Sequence, residues 1–313
     1  MKKNKIRTYA NKAQEIAHHE ILKQSTYYTY KPFSENLPSG YSCIDEIHNP
    51  SGLDAYVLKK GDDVLVAFRG TEMTSIKDWG ADAKIVINKM PKQAKEAEAI
   101  CANVASKYSN CCVTVTGHSL GGGTGSYGAA KTGLPAVVFN PIGTAGLIKD
   151  GEVIDDSHIV NYCNPRDWVA AGTGNEHIGQ VYEISSKAFL SKADVSKWDY
   201  HKVEDIEDLR TRKESSNIEL QRKYEQYKQN DKKYSKPYYD TALESYRENM
   251  GLGNGNSSEC VGSYSVSGYT REDGTKVQGY IRQCGAKHTG SWRGKSFDKM
   301  TDEEVNQMLD DLI

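Results

Sequence analysis

Apolar and polar positions change rhythm several times along the chain, and each change marks an expected element. "LDAYVLKKGDDVLVAFRGT" (53–71) carries two β-branched, apolar runs joined around "KKGDD", which predicts two strands in a hairpin. "PKQAKEAEAICANVASKY" sets Ala94, Ala97, Cys101, Val104 and Tyr108 at helical spacing, with Pro91 suited to the first turn. A strand from Val113 to Thr116, a Gly-rich helix from Leu120, strands in "PAVVFNP" and "SHIVNYCNP", and a last strand in "GQVYEIS" follow. Strands alternating with helices predict an α/β domain with a mostly parallel central sheet over residues 1–210.

Beyond that domain the rhythm weakens. Residues 211–250 are charged and rich in tyrosine, helix-permissive except at Pro237, and their apolar stripe is thin, so a solvated helical arm is expected. Arg222-Lys223 and Lys232-Lys233 are interspersed with acids and read as a solvated face. "GLGNGNSS" reads as a flexible joint into a small module at 251–313. That module has a hairpin around Asp273-Gly274, then a short helix with Thr301 and Glu304 as a capping box and Val305, Met308, Leu309 and Leu312 as its buried face.

With 313 residues the chain can bury a large core and still carry an appendage. A formal net charge of -2 gives no global attraction to nucleic acid. The N-terminal "MKKNKIRTYANKAQEIAHHE" begins basic but lacks the apolar core of a secretory signal, and no run reaches the length of a membrane span. The expectation is synthesis in the cytoplasm without a cleaved signal peptide, any export using a dedicated secretion system. The 7 cysteines include no CxxC pair and no Cys/His ligand spacing, so they read as small buried thiols, and neither metal nor cofactor is expected.

The stretch with chemistry in it is "VTVTGHSLGGGTGSYGAAK" (113–131). A strand ends at Thr116 and a helix begins at Leu120, with Ser119 between Gly117 and Gly121. A turn that tight strains the serine backbone and crowds its neighbours, and glycines on both sides relieve the crowding. It would lift the Ser119 hydroxyl above the sheet and leave the Leu120 N–H at a helix N-terminus, where it can bind an oxyanion. A phosphate-cradling loop does not fit, because neither GxxxxGK[ST] nor GxGxxG is present.

"TGHSLGGG" together with the upstream "VAFRGTEMTSIKDWGADA" resembles the class 3 lipases, a branch of the α/β-hydrolases with a Ser-Asp-His triad. The likeness spans roughly residues 40–210 and is specific in these two blocks. It implies an α/β-hydrolase fold and hydrolysis of lipid carboxylic esters, as a lipase or a phospholipase A, with transient contact to a membrane surface. It implies that Thr71, after the Arg-Gly pair, supplies the second oxyanion donor. It also implies a lid over "EMTSIKDWGADAKI", with Met73, Ile76 and Trp79 as its apolar face.

A nucleophilic serine needs a base, and the base needs an orienting carboxylate, the acid preceding the histidine in α/β-hydrolases. Catalytic groups collect at the carboxyl ends of parallel strands. Asp155 and Asp156 precede the strand in "SHIVNYC", at the wrong edge, whereas Asp167 in "NPRDWVAA" follows it and also matches the family's acid loop. Asp194 and Asp199 stand as alternatives. Among the 8 histidines, His201 in "SKWDYHKVEDI" follows the last strand, as the family's histidine does, with His177 and His288 as alternatives. His118 is expected to pack beneath the turn. The tail hairpin "VSGYTREDGTKVQGYIRQ" resembles segments near the ends of bacterial and phage-linked proteins, some of them exported toxins, which implies a lipolytic effector met by an immunity or delivery partner.

Overall fold

The computed structural model describes residues 5–70, 79–149, 152, 154–173, 175–186, 200–227 and 229, and strand residues 263–265, 269–270, 276–277 and 281–283; for 79–89 and the strands beyond 262 only the backbone is described. Its frame follows from strand alternation, which sends successive side chains to opposite faces. Strands β2 (Asp54–Lys60), β3 (Asp63–Phe68), β4 (Cys112–His118) and β5 (Ala136–Phe139) are nearly all buried. One face gathers Tyr56, Leu58, Leu65, Val137 and Phe139 against Ile16, Ile21, Leu22 and Tyr28 of helix α1 (Lys12–Tyr30). The other gathers Ala55, Val57, Val64, Val66, Phe68, Val113, Val115 and Ala136 against α2 (Trp79–Lys107) and α3 (Ser119–Thr132). A sheet covered on both faces has near-continuous apolar strands, as these are.

Eight strands form the sheet in sequence order, completed by β1 (Ser42–His48), β6 (Ile159–Cys163), β7 (Gln180–Glu183) and β8 (Lys213–Ser215). Neighbours from β3 to β7 pair parallel, while β1 with β2, β2 with β3 and β7 with β8 pair antiparallel. The result is the mostly parallel sheet of an α/β domain that the sequence implied, with the hairpin of β2 and β3 as expected.

Three features depart from the pattern reading. Pro91 lies inside α2, which begins at Trp79 rather than at the proline. Proline removes one N–H from the ladder, and Met90, Gln93, Ala94, Ala97 and Cys101 around and after it are buried. β1 escaped the pattern because, as an edge strand, it is largely exposed and does not alternate cleanly. The third departure is at the expected boundary of 210: the sheet takes up β8 beyond it, and the helical segment 217–227 buries Leu220 to 1% exposure against Cys163, Ala170, Ala171 and Val181. At least this part of the charged stretch is core, not solvated arm.

Helix α1 is buried on two sides, which explains its many polar residues. Its outer side is crossed by the 200–212 stretch, whose Val203, Ile206 and Leu209 join the same core. Several of its buried polar groups are paired: Thr26 meets the Thr116 hydroxyl at 2.9 Å, His19 Nδ1 lies 2.8 Å from the Tyr162 hydroxyl, and the Leu209 N–H donates to Glu20 at 3.0 Å. In the tail, Thr270 pairs with Lys276 and Ser265 with Ile281, two antiparallel ladders, while the expected turn at Asp273-Gly274 lies outside the described residues. The helix expected from Thr301 onward lies outside the described residues.

Candidate active site

Ser119 sits where β4 runs straight into α3, and its φ is +58°. That left-handed conformation costs a residue with a Cβ of order 1–3 kcal/mol and is found where a function fixes it. The surroundings hold it. The Ile142 N–H donates to the Ser119 carbonyl at 3.1 Å, and the backbone of Gly121 packs against the end of β3. A Cβ on Gly121 would fall 2.5 Å from the Phe68 carbonyl oxygen, and one on Gly117 would fall 2.7 Å from Gly121 itself, so both flanking positions require glycine. As second residue of the helix, Leu120 has an N–H with no intrahelical acceptor.

Asp167 follows β6 directly and opens a short helical turn, Trp168–Gly172. The Val169 N–H donates to its Oδ1 at 3.0 Å, and the Asp167 N–H donates to the Asn164 carbonyl at 2.9 Å. Its Oδ2 accepts from His201 Nδ1 at 2.7 Å, a charge-assisted length. The two side chains are 1% and 5% exposed. With Nδ1 donating, His201 Nε2 holds the lone pair, and it is buried with no hydrogen-bond partner among the described residues. The His201 ring lies 4.5 Å from that of His118, the residue before Ser119.

The backbone of His201 is held as well. His118 Nε2 lies 2.5 Å from the His201 carbonyl, and the Asn140 side-chain amide donates to the Tyr200 carbonyl at 3.0 Å and to the His201 carbonyl at 3.3 Å. Asn140, fully buried at φ +41° just after β5, also accepts the Asn164 N–H at 2.8 Å. One side chain therefore ties the loop before Asp167 to the loop of His201. Burial holds the His118 imidazole well below its ordinary pKa, and the nearby His201 adds to this against the backbone hydrogen bond. Asn140 did not stand out in the sequence; an asparagine between strand and proline in "FNP" was the one local signal.

Ser119, Leu120, Asp167 and His201 thus collect at the carboxyl edge of the parallel strands. His177 does not compete as a base. It is buried, its Nε2 donates to the Ala170 carbonyl at 2.7 Å, and burial lowers its pKa to about 4. Thr71, Met73, Ile76, Asp194, Asp199 and His288 lie outside the described residues, and of Trp79 only its place at the head of α2 is described.

The flank beyond the acid is built by the 217–227 segment. The Asn217 side chain brackets His177, accepting its N–H at 2.9 Å and donating to its carbonyl at 3.1 Å. Tyr224 packs over Gly172, and the Tyr227 ring lies 4.3 Å from the Arg166 guanidinium, next to the acid. The spacing of Leu220, Tyr224 and Tyr227 was the sequence signal for a docked helix face.

A phospholipase-like family model, the Tle-like phospholipase domain, matches residues 33–159. Among curated proteins no significant match is found. Among solved structures, the chain is similar to a triacylglycerol lipase from Penicillium expansum, with a TM-score of 0.43 at 15% identity over 57% of this chain and 82% of that one. It is similar to the Lip2 lipase of Yarrowia lipolytica, with a TM-score of 0.43 at 15% identity over 65% of this chain and 87% of that one. It is also similar to the Rhizomucor miehei lipase in its propeptide complex, with a TM-score of 0.39 at 19% identity over 56% and 70% of the two chains. The matched segment contains β3, β4, the Ser119 turn and α3, so the class 3 lipase resemblance carried by the two motifs coincides with a likeness of residues 33–159 to a phospholipase domain.

Proposed function

We propose that the chain is a serine hydrolase that cleaves carboxylic esters of lipids, with phospholipids as the favoured substrates. The observation that carries it is the buried Asp167–His201 pair at 2.7 Å, its Nε2 unpartnered among the described residues, beside a serine held at φ +58°. The Ser119 hydroxyl attacks the acyl carbon as His201 Nε2 takes its proton. Asp167 keeps the imidazole in the tautomer with Nδ1 protonated and stabilises the imidazolium. The Leu120 N–H, with that of Thr71 as second donor, binds the oxyanion of the tetrahedral intermediate. The leaving alcohol departs with the proton from His201. Water, deprotonated by the same imidazole, then releases the fatty acid from Ser119.

The phospholipase-like match to residues 33–159 supports phospholipids over neutral glycerides. Incubating the full chain with a fluorophosphonate, and separately with phosphatidylcholine vesicles and a triglyceride emulsion, tests both levels. Covalent labelling lost in Ser119→Ala, with fatty acid released mainly from the vesicles, is the expected result. No labelling of the wild-type chain would make the fold a silent binding module, and release from triglyceride alone would overturn the substrate class. On the same reading the tail serves export or an immunity partner, an idea that unchanged export after deletion of 251–313 would remove.

A further inference from the structure

The hydrogen bonds behind Ser119 have a fixed direction. The His201 carbonyl can only accept, so His118 Nε2, 2.5 Å away, carries the proton. His118 Nδ1 is then an acceptor, and the Tyr30 hydroxyl, 2.9 Å away at the C-terminal end of α1, donates to it. The same phenol oxygen accepts the Gly70 N–H. A Cβ on Gly70 would collide with that oxygen and lie 2.6 Å from the His118 carbonyl, so the phenol reaches the loop only because residue 70 is glycine. The chain of bonds therefore runs from the Gly70 N–H through Tyr30 and His118 to the His201 carbonyl. It joins the loop after β3 to the loop of the base, passing directly behind the residue between them.

We propose that Tyr30 and His118 are positioning residues for the hydrolysis, a relay that sets the loop of His201 and Gly70 in register around Ser119. The proposal rests on the serine hydrolase reading above. Neither group reaches the reacting atoms. Each acts through a backbone group: the carbonyl of the base at one end, and at the other the N–H of the residue before Thr71, the second oxyanion donor of that mechanism. Burial keeps His118 neutral and the Tyr30 phenol protonated, the forms that the donor and acceptor order requires.

The experiment measures kcat and KM of the full chain on p-nitrophenyl butyrate for wild type, Tyr30→Phe, His118→Ala, His118→Gln and the Tyr30→Phe/His118→Ala pair. Tyr30→Phe should lower kcat about tenfold with KM within about twofold, since the loss concerns alignment rather than binding. His118→Ala should lower kcat about 100-fold, and His118→Gln, which restores a donor toward the carbonyl, should recover part of it. The double variant should be no slower than His118→Ala, because a broken chain cannot be broken twice. Wild-type kcat in Tyr30→Phe, or losses that simply multiply in the pair, would overturn the relay. Tyr30→Phe removes one oxygen and decides the matter even if the alanine variants do not fold. A wild-type chain that neither hydrolyses the ester nor labels at Ser119 would instead overturn the hydrolase reading, and the relay with it.

Discussion

His177 offers a test in which the structure sets both sign and size. Its Nε2 donates to the Ala170 carbonyl, so any added proton must go to Nδ1, which is buried without a partner among the described residues. Burial accordingly lowers its pKa from 6.5 to about 4. Between those values the unfolded chain binds a proton that the folded chain refuses, so stability is complete above the unfolded pKa and drains away as pH falls toward the folded one. From pH 7 to pH 5 this residue alone should remove about 2 kcal/mol. His18, His19 and His118 are shifted in the same direction by burial and add to the wild-type slope. His177→Gln keeps a donor for the Ala170 carbonyl and cannot titrate. Urea unfolding followed by tryptophan fluorescence at pH 7 and pH 5 should show the variant losing about 2 kcal/mol less than wild type over that interval. Ester hydrolysis at pH 7 should stay within about threefold of wild type. An unchanged pH slope would refute the buried-neutral assignment, and loss of hydrolysis in a folded variant would return His177 to the list of bases.

Two other substitutions probe the site and its flank. Asp167→Asn replaces the acceptor of the 2.7 Å bond from His201 Nδ1 by a group able to donate there, and should lower kcat about 10⁴-fold with the fold intact, read by steady-state hydrolysis and circular dichroism. Leu220→Ala empties a position 1% exposed in the core beyond β8 and should cost about 2–5 kcal/mol in the urea transition that reports the sheet, whereas a solvated arm predicts no change.

What the sequence disclosed follows from where the forces are local. Buried strands β2 to β7 carry their apolar runs in plain view, and a serine between two obligatory glycines states its own backbone geometry. The place of Asp167 at the carboxyl edge was readable because strand polarity decides which edge an aspartate occupies, and Asp155 and Asp156 fall at the other end of β6. Edge strands β1 and β8 have little apolar pattern to show, since one side of an edge faces water. Helix α2 runs through Pro91 because the buried face around and after the proline outweighs one missing hydrogen bond. The 217–227 segment hid its docking face, one residue in three or four, among charges that dominate any average.

His201 illustrates why part of a candidate site is invisible to pattern. His201 is carried by a turn rather than by a helix or strand, and a loop residue must be ordered by contacts from elsewhere in the chain. Its Nδ1 is bound to Asp167 and its Nε2 has no partner among the described residues, so further anchoring falls to the backbone. The carbonyl is what remains, and two donors from the ends of neighbouring strands, His118 and Asn140, converge on it. Each donor is fixed by a second bond of its own, His118 to Tyr30 and Asn140 to the backbone of the acid loop. Residues 30, 118, 140, 164 and 201 share no local pattern because their relation is a property of the sheet edge. That edge brings five distant points within hydrogen-bond reach, and the ring that Asp167 holds at Nδ1 sits on a backbone fixed by bonds from neighbouring strands.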